Sequence, residues 1–142
     1  MVSNINFTNP KTQTNYERFI QIAEKDEWNV HASIYERNVC LECEKYSPAG
    51  QDFIMTLQLS LDGDKKFCDL VQNYIEAFDP HYEADIWSVG TGEYDDEGNE
   101  IREGANGAPT DYADIVTDME CCLQFMKDLE KELRLVERTI RR

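Results

Sequence analysis

Basic residues are almost missing from one long segment of this chain. Between Glu76 and Glu120 the 142-residue sequence has 14 Asp and Glu residues and one cation, Arg102, so this segment carries 13 of the 15 net negative charges. Proteins that bind nucleic acids need clustered Lys and Arg to displace counterions from the phosphates, and anionic membrane surfaces repel such a segment as well. The composition therefore excludes direct binding of DNA or RNA and favours positively charged protein partners.

Long apolar runs and catalytic motifs are also missing. No stretch of about 18 apolar residues predicts a transmembrane helix, and residues 1–10 lack the pattern of a secretory signal. The chain has two His, no Gly-rich phosphate loop, no Gly-x-Ser-x-Gly and no His-Glu-x-x-His. We expect an intracellular protein without enzymatic activity and without a cofactor.

The cysteines do not form a recognisable metal motif. The five are odd in number, which favours reduced thiols, and they are Cys40, Cys43, Cys68, Cys121 and Cys122. Cys40 and Cys43 have the spacing of half a zinc site, which Cys121 and Cys122 with His31 or His81 could complete. However, strand residues three apart point to opposite faces of the sheet. Buried reduced thiols are the preferred interpretation, and no metal site is predicted.

The periodicity of apolar residues predicts a single α+β domain over residues 1–142. A frayed segment, 1–13, precedes a helix from Thr14 or Asn15 to Lys25. Three strands of an antiparallel meander follow, and the alternation of Trp28, Val30, Ala32 and Ile34 marks the first. A helix with an apolar stripe from Phe67 to Phe78 comes next, capped by residues 62–64 and stopped by Pro80. The predicted order is α-β-β-β-α, an acidic β-hairpin and a long final helix, with three or four strands in the sheet.

The final helix, which we expect Thr110 to cap, has an unbroken heptad pattern of apolar residues. They are Ile115, Met119, Cys122, Met126, Leu129, Leu133, Val136 and Ile140. Residues 127–142 are polar outside this stripe and are expected to project. A homodimer through Leu129, Leu133, Val136 and Ile140 is one interpretation of that pattern.

The acidic segment between these helices is the candidate functional surface. Tyr82 to Val89 has the composition of a strand, residues 94–101 are typical of a hairpin tip, and residues 104–109 form a loop. We predict partner binding by Glu83, Asp85, Trp87, Glu93, Asp95, Asp96, Glu97, Glu100 and Glu103. A core position for Trp87 is the stronger structural expectation. A calcium loop beginning at Glu93 is disfavoured, because its twelfth position is Gly104 instead of a bidentate Glu.

Two stretches carry a resemblance to other proteins. Residues Phe78-Asp79-Pro80-His81-Tyr82-Glu83-Ala84-Asp85-Ile86-Trp87, and Gly107-Ala108-Pro109 running into Asp114-Ile115-Val116-Thr117-Asp118-Met119-Glu120, resemble short acidic proteins of phages and integrative elements of gut bacteria. The resemblance covers about residues 51–135. It implies a mobile-element origin and action in the cytoplasm of a bacterial host. Small acidic proteins of that origin are similar in character to anti-CRISPR and antirestriction inhibitors.

The leading expectation is thus a non-enzymatic inhibitor that binds a basic nucleic-acid-handling protein, such as a CRISPR effector or another nuclease, by DNA mimicry. The alternative is a structural or regulatory module that dimerises through the final helix.

Overall fold

The computed structural model describes residues 5–104 and 111–140, with side chains up to Glu137 in the last helix. The elements in chain order are α1 (Pro10–Lys25), β1 (Asn29–Tyr35), β2 (Asn38–Tyr46), β3 (Asp52–Ser60), α2 (Phe67–Ala77), α3 (Pro80–Ile86), β4 (Ser88–Tyr94), β5 (Glu100–Gly104) and α4 (Tyr112–Ile140). One antiparallel sheet has the order β1-β2-β3, and a second consists of β4 and β5. The α+β class and the predicted arrangement are confirmed, with α3 as an additional helix. Within the described residues, no helix is both long and apolar enough to cross a bilayer.

The three-stranded sheet follows the predicted alternation. Val39, Leu41 and Cys43 of β2 are buried, and so are alternate residues from Phe53 to Leu59 of β3. Tyr35 pairs with Asn38, so the turn between β1 and β2 lies at residues 36–37. The edge strand β1 buries Val30 but leaves Ile34 47% exposed, against the expectation of a continuous apolar face.

Helix α1 begins earlier than its apolar pattern predicts. Asn9 caps it by accepting a hydrogen bond of 2.8 Å from the backbone N–H of Lys11, and Pro10 takes the first helical position. Ile5 and Phe7 are buried, and the Phe7 ring lies 5.2 Å from the Tyr16 ring. The prediction that residues 1–13 are frayed is therefore wrong for residues 5–13, and residues 1–4 lie outside the described part.

Helix α2 is capped from a distant part of the chain. The carboxylate of Glu137 accepts hydrogen bonds from the backbone N–H groups of Phe67, at 3.0 Å, and Cys68, at 2.8 Å. Glu137 is 3% exposed, so a buried side chain of α4, and not residues 62–64, satisfies the first turn of α2. The Phe67 ring stacks on Phe19 with 5.0 Å between the centroids, which joins α2 to α1.

Helix α4 begins one residue later than predicted. The Asp111 side chain accepts a hydrogen bond of 3.0 Å from the backbone N–H of Ala113 and caps the helix. Thr110, the predicted cap, lies outside the described residues. The apolar stripe is buried at Ile115, Met119, Cys122, Met126, Leu129 and Leu133. Val136 is half-buried, and the Ile140 side chain lies outside the described part.

The burial of α4 changes how its last turns are interpreted. Leu129 is 0% exposed and Leu133 is 1% exposed within the single chain. These two side chains therefore belong to the core and do not form a free apolar face on a projecting helix. A homodimer through Leu129 and Leu133 would require both to leave that core.

The chain divides into two compact units. Unit 1 comprises Met1–Lys45, Ile54–Ala77 and Phe125–Arg142, and unit 2 comprises Tyr46–Phe53 and Phe78–Gln124. Unit 2 contains 14 Asp and Glu residues, and Arg102 is its single Lys or Arg, so its net charge with neutral His is −13, whereas the remaining −2 belongs to unit 1. The charge asymmetry of the sequence is thus an asymmetry between two compact parts of the chain.

Candidate partner-binding surface

Helix α3 replaces the strand predicted from Tyr82 to Val89. Asp79 caps it, because its Oδ1 atom accepts a hydrogen bond of 2.9 Å from the backbone N–H of His81, and Pro80 stands at the first helical position. This capping pair decides the local conformation over the β-propensity of the aromatic and branched residues that follow. Pro80 therefore starts a helix as well as following one.

A small apolar cluster holds α3 against the first turns of α4 inside unit 2. Ala84, Ile115 and Val116 are its buried members, and Trp87 and Tyr112 pack against it from partly exposed positions. The expectation of a core position for Trp87 is met in part, since its ring contributes to this cluster while remaining half-exposed.

The hairpin of β4 and β5 presents the densest group of carboxylates. Its tip is residues 95–99, with Gly98 at a φ of +85° as the left-handed position. The Oδ1 atom of Asp95 accepts hydrogen bonds from the backbone N–H groups of Glu97, at 3.0 Å, and Asn99, at 2.9 Å. Asp95 thus organises the tip, and the predicted hairpin is confirmed.

Glu100 has a structural contact of its own. Its Oε2 atom accepts a hydrogen bond of 3.0 Å from the backbone N–H of Gly92 on the opposite strand. The carboxylate lies so close to Gly90 that a Cβ atom there would stand 2.5 Å from Oε1. The glycine at position 90 therefore gives the Glu100 side chain room to fold across the hairpin.

Asp85 lies beside Arg102, the single Lys or Arg of unit 2. The Tyr112 hydroxyl donates a hydrogen bond of 2.7 Å to its Oδ1 atom, and the Arg102 Nε atom lies 3.9 Å from the same oxygen. The Arg102 guanidinium also donates to the Ser88 hydroxyl at 2.8 Å and to the Ser88 carbonyl at 3.1 Å. Arg102 thus joins β5 to the end of α3, and it compensates part of the Asp85 charge.

The remaining predicted residues are presented outward. Glu93, Asp96, Glu97 and Glu103 are exposed, and among the described residues their carboxylates form no hydrogen bond or ion pair. Glu83 is half-buried on α3. Its carboxyl group has a raised pKa, mainly because it is buried and secondly because the charge of Asp79 is nearby. The nine predicted residues therefore separate into structurally engaged acids, a half-buried aromatic residue and a set of exposed carboxylates without a hydrogen-bond partner among the described residues.

A groove in unit 2 lies beside these residues. It has a volume of about 740 Å³, and it is lined by Asp85, Asp95, Asn99, Glu100, Ile101, Arg102, Asp111 and Tyr112. Sequence reasoning included three of these acids but missed the hydrogen-bonding role of Tyr112 and the capping role of Asp111. The Asp at the start of the final helical pattern is the signal that could have identified the cap.

The cysteines and histidines show no alternative site. Burial raises the pKa of Cys43, Cys68 and Cys122 to about 12, so these thiols stay protonated at neutral pH and are poor nucleophiles and metal ligands. Across residues 5–104 and 111–137, no group of three or more His, Cys, Asp and Glu side chains has the arrangement of a metal site.

Comparison of the chain with protein-family models, with curated proteins and with solved structures finds no match.

Proposed function

We propose that this protein is a non-enzymatic inhibitor that binds a basic nucleic-acid-handling protein through unit 2, in the cytoplasm of a bacterial host. The observation that carries the proposal is the net charge of −13 on this one unit, with a single Lys or Arg among its residues. The proposed partner is an anti-phage nuclease such as a CRISPR effector, which is consistent with the mobile-element origin that the sequence resemblance implies.

The hairpin supplies the contact chemistry in this proposal. Asp95 and Glu100 hold the tip and the strands in one arrangement, while Glu93, Asp96, Glu97 and Glu103 remain exposed for ion pairs with Lys and Arg. A pre-ordered hairpin supports affinity, because less conformational entropy is lost when it binds.

Competition with nucleic acid is the proposed mechanism. A nucleic-acid channel attracts phosphates through dense Lys and Arg, and duplex DNA presents one charge per about 1.7 Å of axis. Closely spaced carboxylates on an ordered hairpin can occupy the same cations, so the inhibitor would displace DNA or RNA without resembling it chemically.

Salt-dependent capture tests the proposal. We expect the immobilised protein to retain basic nucleic-acid-binding proteins from a bacterial lysate at about 50 mM salt and to release them at about 200 mM. A captured protein, once purified, should lose DNA binding when the inhibitor is added. Retention of neutral or acidic proteins only, or unchanged DNA binding, would contradict the proposal.

Matched charge variants locate the contact. Exposed ion pairs contribute about 0.2–1 kcal/mol each, so the triple variant Glu93→Gln, Asp96→Asn and Glu97→Gln should weaken binding by roughly tenfold. The control removes three exposed acids from unit 1 through Glu24→Gln, Glu42→Gln and Asp64→Asn. Equal losses from both variants would indicate a response to net charge alone and contradict a hairpin contact.

A further inference from the structure

Unit 2 is the more acidic unit, and it also exposes most of the large apolar side chains. Among the described residues, the exposed ones in this unit are Tyr46, Tyr82, Ile86, Val89, Tyr94 and Ile101, against Ile34, Tyr35, Ile54 and Leu135 in unit 1. Unit 1 contains more residues than unit 2, so its smaller number of exposed apolar side chains is not explained by its length. Protein interaction sites typically combine exposed apolar side chains with a polar rim.

Helix α3 shows how two of these residues are arranged. Tyr82 and Ile86 are four residues apart and thus lie about 40° apart around the helix axis. Each is about 160° from Ala84, which is 0% exposed and makes the core contact of the helix. Tyr82 and Ile86 therefore form the outer face of α3, on the side opposite the core.

Packing in the core does not bury this apolar face. Tyr82 is 63% exposed and Ile86 is 59% exposed, so both retain most of their apolar area in contact with water. Viewed along the helix axis, Glu83 lies about 60° from Ile86 on one side of the pair. Asp85 lies about 60° from Tyr82 on the other side. The apolar pair is thus flanked by a carboxylate on each side.

We infer that the outer face of α3, formed by Tyr82 and Ile86, is the apolar centre of the surface with which unit 2 docks on its partner. The occupant is a protein surface with an apolar cleft bordered by Lys and Arg. This inference rests on the proposed function, and it adds that the partner is recognised as a protein and not only as an array of cations.

Charge complementarity selects this occupant. A second copy of the chain would bring another unit with a net charge of −13 against the same face, and an anionic lipid surface would be repelled in the same way. A cleft that is apolar at the centre and cationic at the rim matches both the side-chain pair and its flanking acids. The apolar contact should keep part of the affinity when salt screens the charges.

Two fluorescent peptides of equal charge test the inference. One is a short amphipathic helical peptide of Lys and Leu, and in the other every Leu is replaced by Ser. We expect the Lys–Leu peptide to bind the full-length protein more tightly at one fixed salt concentration. The double variant Tyr82→Ser and Ile86→Ser should weaken its binding by about tenfold and leave the Lys–Ser peptide unaffected, as measured by fluorescence anisotropy.

The control is the double variant Ile34→Ser and Tyr35→Ser, which removes two exposed apolar side chains from unit 1. Thermal unfolding establishes that both double variants are folded. The inference is overturned if the α3 variant binds the Lys–Leu peptide as the parent does, or if the control loses as much affinity.

The charge variant of the hairpin separates this inference from the proposed function. If Glu93→Gln, Asp96→Asn and Glu97→Gln weaken both peptides while the α3 variant weakens neither, the acidic contact stands and the apolar centre is overturned. If the charge variant weakens neither peptide while the α3 variant weakens the Lys–Leu peptide alone, the apolar centre is supported and the electrostatic mechanism fails.

Discussion

The side-chain amide of Gln51 donates a hydrogen bond of 2.6 Å to the carboxylate of Asp118, and both residues are buried. The other oxygen of Asp118 accepts a hydrogen bond of 2.9 Å from the backbone N–H of Ala49. A single carboxylate thus holds the turn before β3 against the first half of α4, and both lie in unit 2.

The first prediction concerns this buried carboxylate. Asp118→Ala leaves the Gln51 amide and the Ala49 N–H without their acceptor, and an unsatisfied buried donor costs about 1–3 kcal/mol. The Gln51 amide is the buried one of these two donors, so we expect the free energy of unfolding in urea to fall by about 1–3 kcal/mol. Glu120→Ala, at an exposed position of the same helix, should change it by less than about 0.5 kcal/mol, and equal effects would contradict the assigned role.

The second prediction concerns the cap of α2. Glu137→Ala removes the acceptor for the backbone N–H groups of Phe67 and Cys68, and loss of a helix cap costs about 0.5–2 kcal/mol. In this variant, amide hydrogen exchange should accelerate more at Phe67 and Cys68 than in α1. The exposed variant Glu24→Ala is the control, and unchanged exchange at Phe67 and Cys68 in the Glu137 variant would refute the cap.

The third prediction tests the contact between Gly90 and Glu100. Gly90→Ala forces the Glu100 carboxylate away from the strand and breaks its hydrogen bond to the Gly92 N–H, which contributes about 0.5–1.5 kcal/mol. We expect the Gly92 amide to exchange faster in Gly90→Ala. In a Glu100→Ala background the same substitution should have little further effect, and an undiminished effect there would show that the glycine is needed for another reason.

The fourth prediction concerns the pH dependence of stability. The pKa of Asp26 is raised from 3.8 to about 6. Burial is the largest cause, and a hydrogen bond with Glu132 is the next. The folded state therefore binds this proton more tightly than the unfolded state does. The resulting stabilisation is complete below pH 3.8 and is lost as the pH rises through about 6. Relative to Asp26→Asn, the parent protein should lose stability across this window in urea titrations.

Asp62 provides the opposite sign as an internal comparison. Hydrogen bonds from Arg37 and Thr8 lower the pKa of its carboxyl group, so its contribution is present above the usual pKa of an Asp and is lost as the pH falls. Asp62→Asn should reduce the difference in stability between neutral and acidic pH. Parallel pH profiles for the Asp26 and Asp62 variants would contradict both assignments.

Local sequence rules account for much of the fold. They also explain the starts of α1 and α3, where the predictions were wrong. The pairs Asn9-Pro10 and Asp79-Pro80 each consist of a capping Asn or Asp followed by proline, and each starts a helix as a cap followed by the first helical residue. The apolar pattern alone predicts a start of α1 that is too late, and it predicts only that Pro80 ends a helix. The alternation in β2 and β3 and the Gly-containing hairpin tip were sufficient for the two sheets, because each depends on neighbours close in sequence.

Contacts between distant residues could not be predicted from local pattern. The cap on α2 comes from Glu137, 70 residues further along the chain, and no local signal marks that Glu among the other acids of α4. The acidic surface was predictable as a region because its charge is a property of composition. The separation of its acids into engaged and free carboxylates depends on Gly92, Arg102 and Tyr112, which are specified by the folded arrangement.

The single cation of unit 2 has a consequence for proteolysis. Trypsin cleaves after Lys and Arg, and between Lys66 and Lys127 the chain offers it only Arg102, whose side chain is held by Ser88 and the end of α3. Cleavage at this bond requires the hairpin to open, so the rate at which trypsin divides the acidic half of the chain reports that opening directly. A bound partner that orders the hairpin should therefore slow tryptic digestion, while a Glu-specific protease finds several exposed sites in the same strands.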